Sequence, residues 1–177
     1  MSGFSNQQLV LTAIGDDRTG IVAQLTELVS ECSCNIIDSR IAILGNEFSI
    51  IMLLSGDMSA ISRIEHTIPV KSMEMGLLTM MKRTSNRTGS EFCAGYTLEY
   101  KGLDSVGALS KVAAFLAEDN IDICSLKSDT YEQDGQLYMC SMLEINVPVD
   151  SALDSFKLKF ENLCTDFKLE SILRRIR

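Results

Sequence analysis

Apolar residues along this chain switch between a period of two and a period near 3.6, and the same switch occurs twice. Leu9–Ile14 reads as a short strand ending at Gly15, followed by a polar loop to Gly20. Ile21, Leu25, Leu28, Val29 and Cys32 then recur at the spacing of one buried helix face. A strand near Asn35–Leu44, the turn Gly45-Asn46 and a returning strand Glu47–Leu54 predict a hairpin. Residues 59–67, with Ile61 and Ile64, predict a short second helix with His66 near its end, and Met75–Lys82 predicts the closing strand.

Shifting residues 9–36 by 87 lays them on 96–123 without a gap, and Leu11/Leu98, Gly15/Gly102, Asp17/Asp104, Gly20/Gly107, Glu31/Glu118 and Ile36/Ile123 coincide. The elements follow suit. A strand Tyr96–Lys101 precedes a helix apolar at Ala108, Val112, Phe115 and Leu116, then a strand near Asp122–Tyr131. A longer turn with Asp134-Gly135 suggests an insertion of about three residues, after which Phe48 aligns with Tyr138 at an offset of 90. The strand Leu137–Val147, a helix over 151–164 apolar at Leu153, Phe156, Phe160, Leu163 and Cys164, and the strand Lys168–Ile176 complete the copy.

The order βαββαβ, twice, predicts an α+β chain of two ferredoxin-like domains with antiparallel sheets and two helices on one face. The expected boundaries are 1–84 for the first domain, a polar linker at 85–91, and 92–177 for the second. Such a unit leaves a sheet face and an edge open, so two copies packed side by side would cover those liabilities.

Charge narrows the function classes. The net charge is −8, with 7 basic and 9 acidic groups in residues 1–88 and 9 and 15 in residues 89–177. This excess repels phosphates and argues against direct nucleic-acid binding; Arg174, Arg175 and Arg177 read as a solvated final strand. No helix-turn-helix or zinc finger is apparent. The first residues lack the basic and apolar regions of a secretory signal, and no apolar run is long enough to span a bilayer. A cytoplasmic protein with six reduced cysteines is expected.

Candidate chemistry concentrates in the loop Gly15-Asp16-Asp17-Arg18-Thr19-Gly20. A helix N-terminus suits a carboxylate, Gly20 removes a Cβ from the approach, and Asp16 or Asp17 can receive an ammonium. Asn35 offers both a donor and an acceptor, so the set suits a zwitterionic amino acid. The alternative is structural: Asp17 or Thr19 caps the helix and Gly20 eases the turn. In the second copy Asp122 replaces Asn35 and would repel a ligand carboxylate, which favours the structural alternative there. The loop lacks the ending of a P-loop. Cys32 and Cys34 lack the further ligands a zinc site needs, and no catalytic set forms around His66, so neither metal, cofactor nor catalytic residue is expected. The Met-rich strand Met73–Met81 reads as sheet core, with a partner-facing surface as the lesser alternative.

The run Asp16-Asp17-Arg18-Thr19-Gly20-Ile21-Val22, followed by Cys32-Ser33-Cys34-Asn35-Ile36-Ile37-Asp38-Ser39-Arg40, resembles the ACT domain, a small amino-acid-binding regulatory module. More narrowly the chain resembles the glycine cleavage system transcriptional repressor family, over nearly its whole length and most specifically in residues 8–56. The resemblance implies repression of the glycine cleavage operon through a DNA-binding activator protein, with glycine as the signal. It implies ligand positions in Asp17–Gly20 and at Asn35 and Ile36, with Asp104, Gly107 and Asp122 as counterparts. The alternative is a detached ACT subunit that regulates a metabolic enzyme; an enzyme ranks last. A homodimer is compatible with either reading.

Overall fold

A computed structural model of the chain describes residues 6–85, 92–148 and 153–176. The chain divides into two compact units, residues 1–88 and 89–177. The expected linker, residues 85–91, lies outside the described residues apart from Ser85.

The first unit runs β1 (Gln7–Asp16), α1 (Ile21–Glu31), β2 (Asn35–Leu44), β3 (Glu47–Gly56), α2 (Met58–Glu74) and β4 (Leu78–Thr84). Its sheet has the antiparallel order β2-β3-β1-β4. Alternation decides the buried face: Leu9, Leu11 and Ala13 on β1 and Phe48, Ile50, Met52 and Leu54 on β3 all point into one core. Ile21, Leu25 and Val29 of α1 and Ile61, Ile64 and Ile68 of α2 close over them. The second unit repeats the order as β5 (Phe92–Leu103), α3 (Ala108–Glu118), β6 (Asp122–Gln133), β7 (Gln136–Pro148), α4 (Leu153–Asp166) and β8 (Leu169–Arg175). Its antiparallel sheet, β6-β7-β5-β8, buries Leu98, Tyr100, Met139, Leu143 and Ile145 against Val112, Leu116, Phe156 and Phe160. The fold is therefore α+β with tandem βαββαβ units.

The helix expected over 59–67 is longer than its periodicity suggests. It continues through Pro69 to Glu74, so His66 lies mid-helix. An interior proline costs roughly 3 kcal/mol. Burying Ile68 and Leu77, each worth about 1.5–3 kcal/mol, offsets that. The helix stops at Gly76, whose φ of 72° lets the Leu77 N–H reach the Ser72 carbonyl at 2.8 Å and the Gly76 N–H reach Met73 at 3.1 Å. The closing strand consequently starts at Leu78 rather than Met75. The Met-rich core reading fails with it: Met73 is 79% and Met80 69% exposed, while Met75 and Met81 pack against the core.

The second hairpin also departs from expectation. Its turn, Asp134-Gly135, has two residues like Gly45-Asn46, and the insertion lengthens the arms. Phe48 pairs with Gly15 and Met139 with Gly102, so Phe48 corresponds to Met139 at an offset of 91, not to Tyr138. Two residues enter each arm. An even insertion preserves which face every side chain occupies, whereas an odd one would have turned the strand inside out.

Candidate functional site

The loop between β1 and α1 is fixed at both ends. The Asp17 N–H donates to the Asn46 carbonyl of the hairpin turn at 3.1 Å, and the Ile21 N–H donates to the Arg18 carbonyl at 3.3 Å. Gly20 is the N-cap residue of α1 with φ 91° and ψ −6°, and no side chain caps the helix. Neither Asp17 nor Thr19 therefore performs the capping role weighed for them. The first helical turn is left to water or a ligand, which is the physical basis of an anion site. Asp16, Asp17, Thr19 and Gly20 are all exposed.

The second unit builds the same loop. The Asp104 N–H donates to the Leu137 carbonyl at 2.8 Å, the Ala108 N–H to Ser105 at 3.2 Å, and Gly107 has φ 91° and ψ −3° without a side-chain cap. The two glycines shared by the repeats serve different ends. Gly20 and Gly107 supply the left-handed conformation. Gly15 and Gly102 permit close approach: a Cβ on Gly15 would lie 2.7 Å from the Gly76 carbonyl oxygen, and one on Gly102 2.7 Å from that of Lys168.

The nominated residues are not gathered into one place within a unit. Asp16 stands opposite Glu47, at one end of β3, whereas Asn35 stands opposite Ser55, at the other. Eight residues of strand separate the two pairings, about 26 Å at ~3.3 Å per residue. Asn35 is exposed, and Ile36 is half-buried against the core. Asp122 likewise lies opposite Asn146, at the far end of β7 from the Leu137 carbonyl that holds Asp104.

Sequence reasoning missed the connection to the hairpin turn, which only the sheet register reveals. It also missed Arg18, whose guanidinium donates to Gln24 Oε1 at 2.7 Å. A hollow of about 460 Å³ opens there, lined by Arg18, Gln24, Glu27, Glu31, Lys71 and Glu74 among others. The Lys71 ammonium is engaged by Glu74 at 3.0 Å, and the carboxylates outnumber the cations, so this hollow suits a ligand carboxylate poorly.

Cys32 and Cys34 are both buried at the end of α1, and burial pushes the Cys34 thiol up, with Cys32 adding to the shift. Among the described residues no cluster of three or more His, Cys, Asp or Glu side chains could hold a metal ion. No described helix is long and apolar enough to cross a membrane.

Two helices on one face of a β2-β3-β1-β4 sheet, built twice, with each first helix opened by a left-handed glycine, define a tandem ACT-domain protein. The ACT domain model matches residues 7–82. The glycine cleavage system transcriptional repressor of Escherichia coli (strain K12) is 36% identical over 172 residues, covering 96% of this chain and 90% of that protein. A crystal structure assigned to a glycine cleavage system transcriptional repressor shares 35% identity with a TM-score of 0.76, covering 98% of this chain and 99% of that one. A protein from Galdieria sulphuraria gives a TM-score of 0.79 at 23% identity, covering 98% of this chain and 100% of that one, and shares the fold. This chain belongs to the glycine cleavage system transcriptional repressor family, and its role is regulatory.

Proposed function

We propose that the chain represses transcription of the glycine cleavage genes in response to a small amino acid, and that it acts in the cytoplasm through a DNA-binding activator protein. The observation that carries this is the 36% identity to a named repressor across 96% of the chain. The net charge of −8 supports a protein route over direct contact with DNA.

In this reading the ligand carboxylate meets the uncapped first turn of α1 beyond Gly20, and Asp16 or Asp17 receives the ammonium. Thr19 borders the same loop. Asn35 and the edge of Ile36 serve the same ligand only when another copy supplies them, because the ~26 Å between the ends of the sheet exceeds any amino acid. A homodimer in which β2 of one protomer approaches the loop of its partner meets that need. Asp104, Gly107 and Asp122 form the weaker second set, since Asp122 places a carboxylate where the first unit has an amide.

Calorimetric titration of the full chain with glycine, serine and other amino acids tests the ligand. Saturable binding should also raise the melting temperature. Gly20→Val and Asn35→Ala should each weaken binding; absence of binding, or binding indifferent to both changes, removes the site. In gel shifts the chain alone should retard no operator DNA. Co-purification of a biosynthetic enzyme in place of an activator would favour a detached metabolic regulator instead.

A further inference from the structure

The two loop ends share one backbone but differ in polarity. At equivalent positions the first unit presents Asp16, Thr19, Leu44, Asn46 and Glu47, and the second presents Leu103, Val106, Tyr131, Leu137 and Tyr138. The correspondence follows from the register: Asp16 and Leu44 pair with Glu47, as Leu103 and Tyr131 pair with Tyr138. Asn46 and Leu137 accept the same loop N–H. Four of these five positions are polar in the first unit, Leu44 being the exception, and all five are apolar or aromatic in the second, without any change in the loop that supports them.

Val106 is fully exposed, Leu137 is 55% exposed and Tyr131 43%. The Tyr131 and Tyr138 rings stack across the strands at 5.8 Å and 19°, so this aromatic surface is already ordered before anything meets it. Exposed apolar side chains concentrated at one end of a unit cost solubility and mark a contact surface. Asp104, Asp129, Glu132 and Asp134, all exposed, belong to the same loop and hairpin; Lys127 is paired with Asp129 at 3.0 Å, and Lys101, near Tyr131, with Glu170 at 3.1 Å, so the carboxylates stay in excess.

We propose that this loop and hairpin end of the second unit is a docking surface for a partner protein that offers an apolar hollow bordered by lysine or arginine. The proposal rests on the reading that the chain works through a protein partner. Charge selects the occupant. Two copies of this end would bring acidic rims together, which disfavours self-association, while a basic border complements the rim and excludes water around the apolar centre.

The test places a photoreactive benzoylphenylalanine at Val106 or Leu137 of the full chain in its own cells, with Thr19 and Asn46 as equivalent positions in the first unit. The expected result is a heteromeric adduct from 106 and 137 and none from 19 and 46. Its mapped partner peptide should contain lysine or arginine beside apolar residues. Val106→Asp should leave the melting temperature unchanged and reduce the adduct from 137 at least tenfold. Adducts between two copies of the chain, equal adducts from both units, an adduct on a segment without basic residues, or none at all would each overturn the surface. The partner's identity tests the parent reading separately. A metabolic enzyme would keep the surface and overturn the activator, whereas an activator that co-purifies without an adduct at 106 or 137 would do the reverse.

Discussion

Gly20 and Gly107 hold the same conformation, φ 91° at both, each as the N-cap of the first helix in its unit. A Cβ at either position meets nothing within 4 Å, so the requirement is conformational rather than steric. Gly20→Ala and Gly107→Ala should each cost about 1 kcal/mol of stability. Gly15→Ala should cost more, about 1–3 kcal/mol, because its Cβ meets a backbone carbonyl at 2.7 Å that cannot swing aside. Urea denaturation of the three variants checks the order.

Ser33 ends α1 with φ 60°, a conformation that glycine holds without a Cβ penalty. The Cys34 N–H reaches the Val29 carbonyl at 3.1 Å and the Ser33 N–H reaches Ser30 at 2.8 Å, the same closure that Gly76 makes after α2. Ser33→Gly removes roughly 1 kcal/mol of left-handed strain and loses only an exposed 3.3 Å contact from Arg63. It should therefore stabilise the chain, read as a higher denaturant midpoint at unchanged slope.

Asp57 begins α2 and accepts a hydrogen bond from the Ala60 N–H at 2.7 Å. That bond, aided by the Ser59 hydroxyl, holds its carboxyl below the ordinary carboxylate range. A lowered folded-state pKa means that the contribution is present above the unfolded value and is lost as pH falls through the folded one. Asp57→Asn keeps a capping oxygen without a titrating carboxyl and should flatten the acid limb of the stability profile; Asp57→Ala should destabilise at neutral pH. Thermal melts from pH 7 down to pH 3 separate the two.

Thiol chemistry should divide by burial. Cys32, Cys34 and Cys164 are buried, and burial raises the thiols of Cys34 and Cys164, so little thiolate is available there. Cys124 and Cys140 are exposed on strands. Brief alkylation of the native chain at pH 8, followed by mass spectrometry, should label Cys124 and Cys140 and spare the three buried thiols until denaturant is added.

The fold was largely legible because each helix shows its buried face in the spacing of its apolar residues, as Ile21, Leu25 and Val29 do. Local rules failed where burial overrode them. Pro69 reads as a stop, yet Ile68 and Ser72 are buried beyond any use they would have in a loop. The one-residue misalignment of Phe48 with Tyr138 arose because both neighbouring runs are apolar, and only pairing with Gly15 and Gly102 distinguishes the faces. The loop was legible from its glycines. The separation of Asn35 from it was not, because sequence proximity to α1 conceals that β2 starts at the end of the sheet away from the loop and only then runs back toward the hairpin turn that holds it.

The most direct test of the central claim is the affinity of the purified chain for the operon's activator, measured by fluorescence anisotropy with and without saturating glycine. A sensor must bind its partner differently in the two states, since a ligand shifts an equilibrium only through such a difference. The account predicts a several-fold change in Kd that Gly20→Val abolishes. An activator affinity that glycine leaves unchanged, in a chain that binds both, would contradict it.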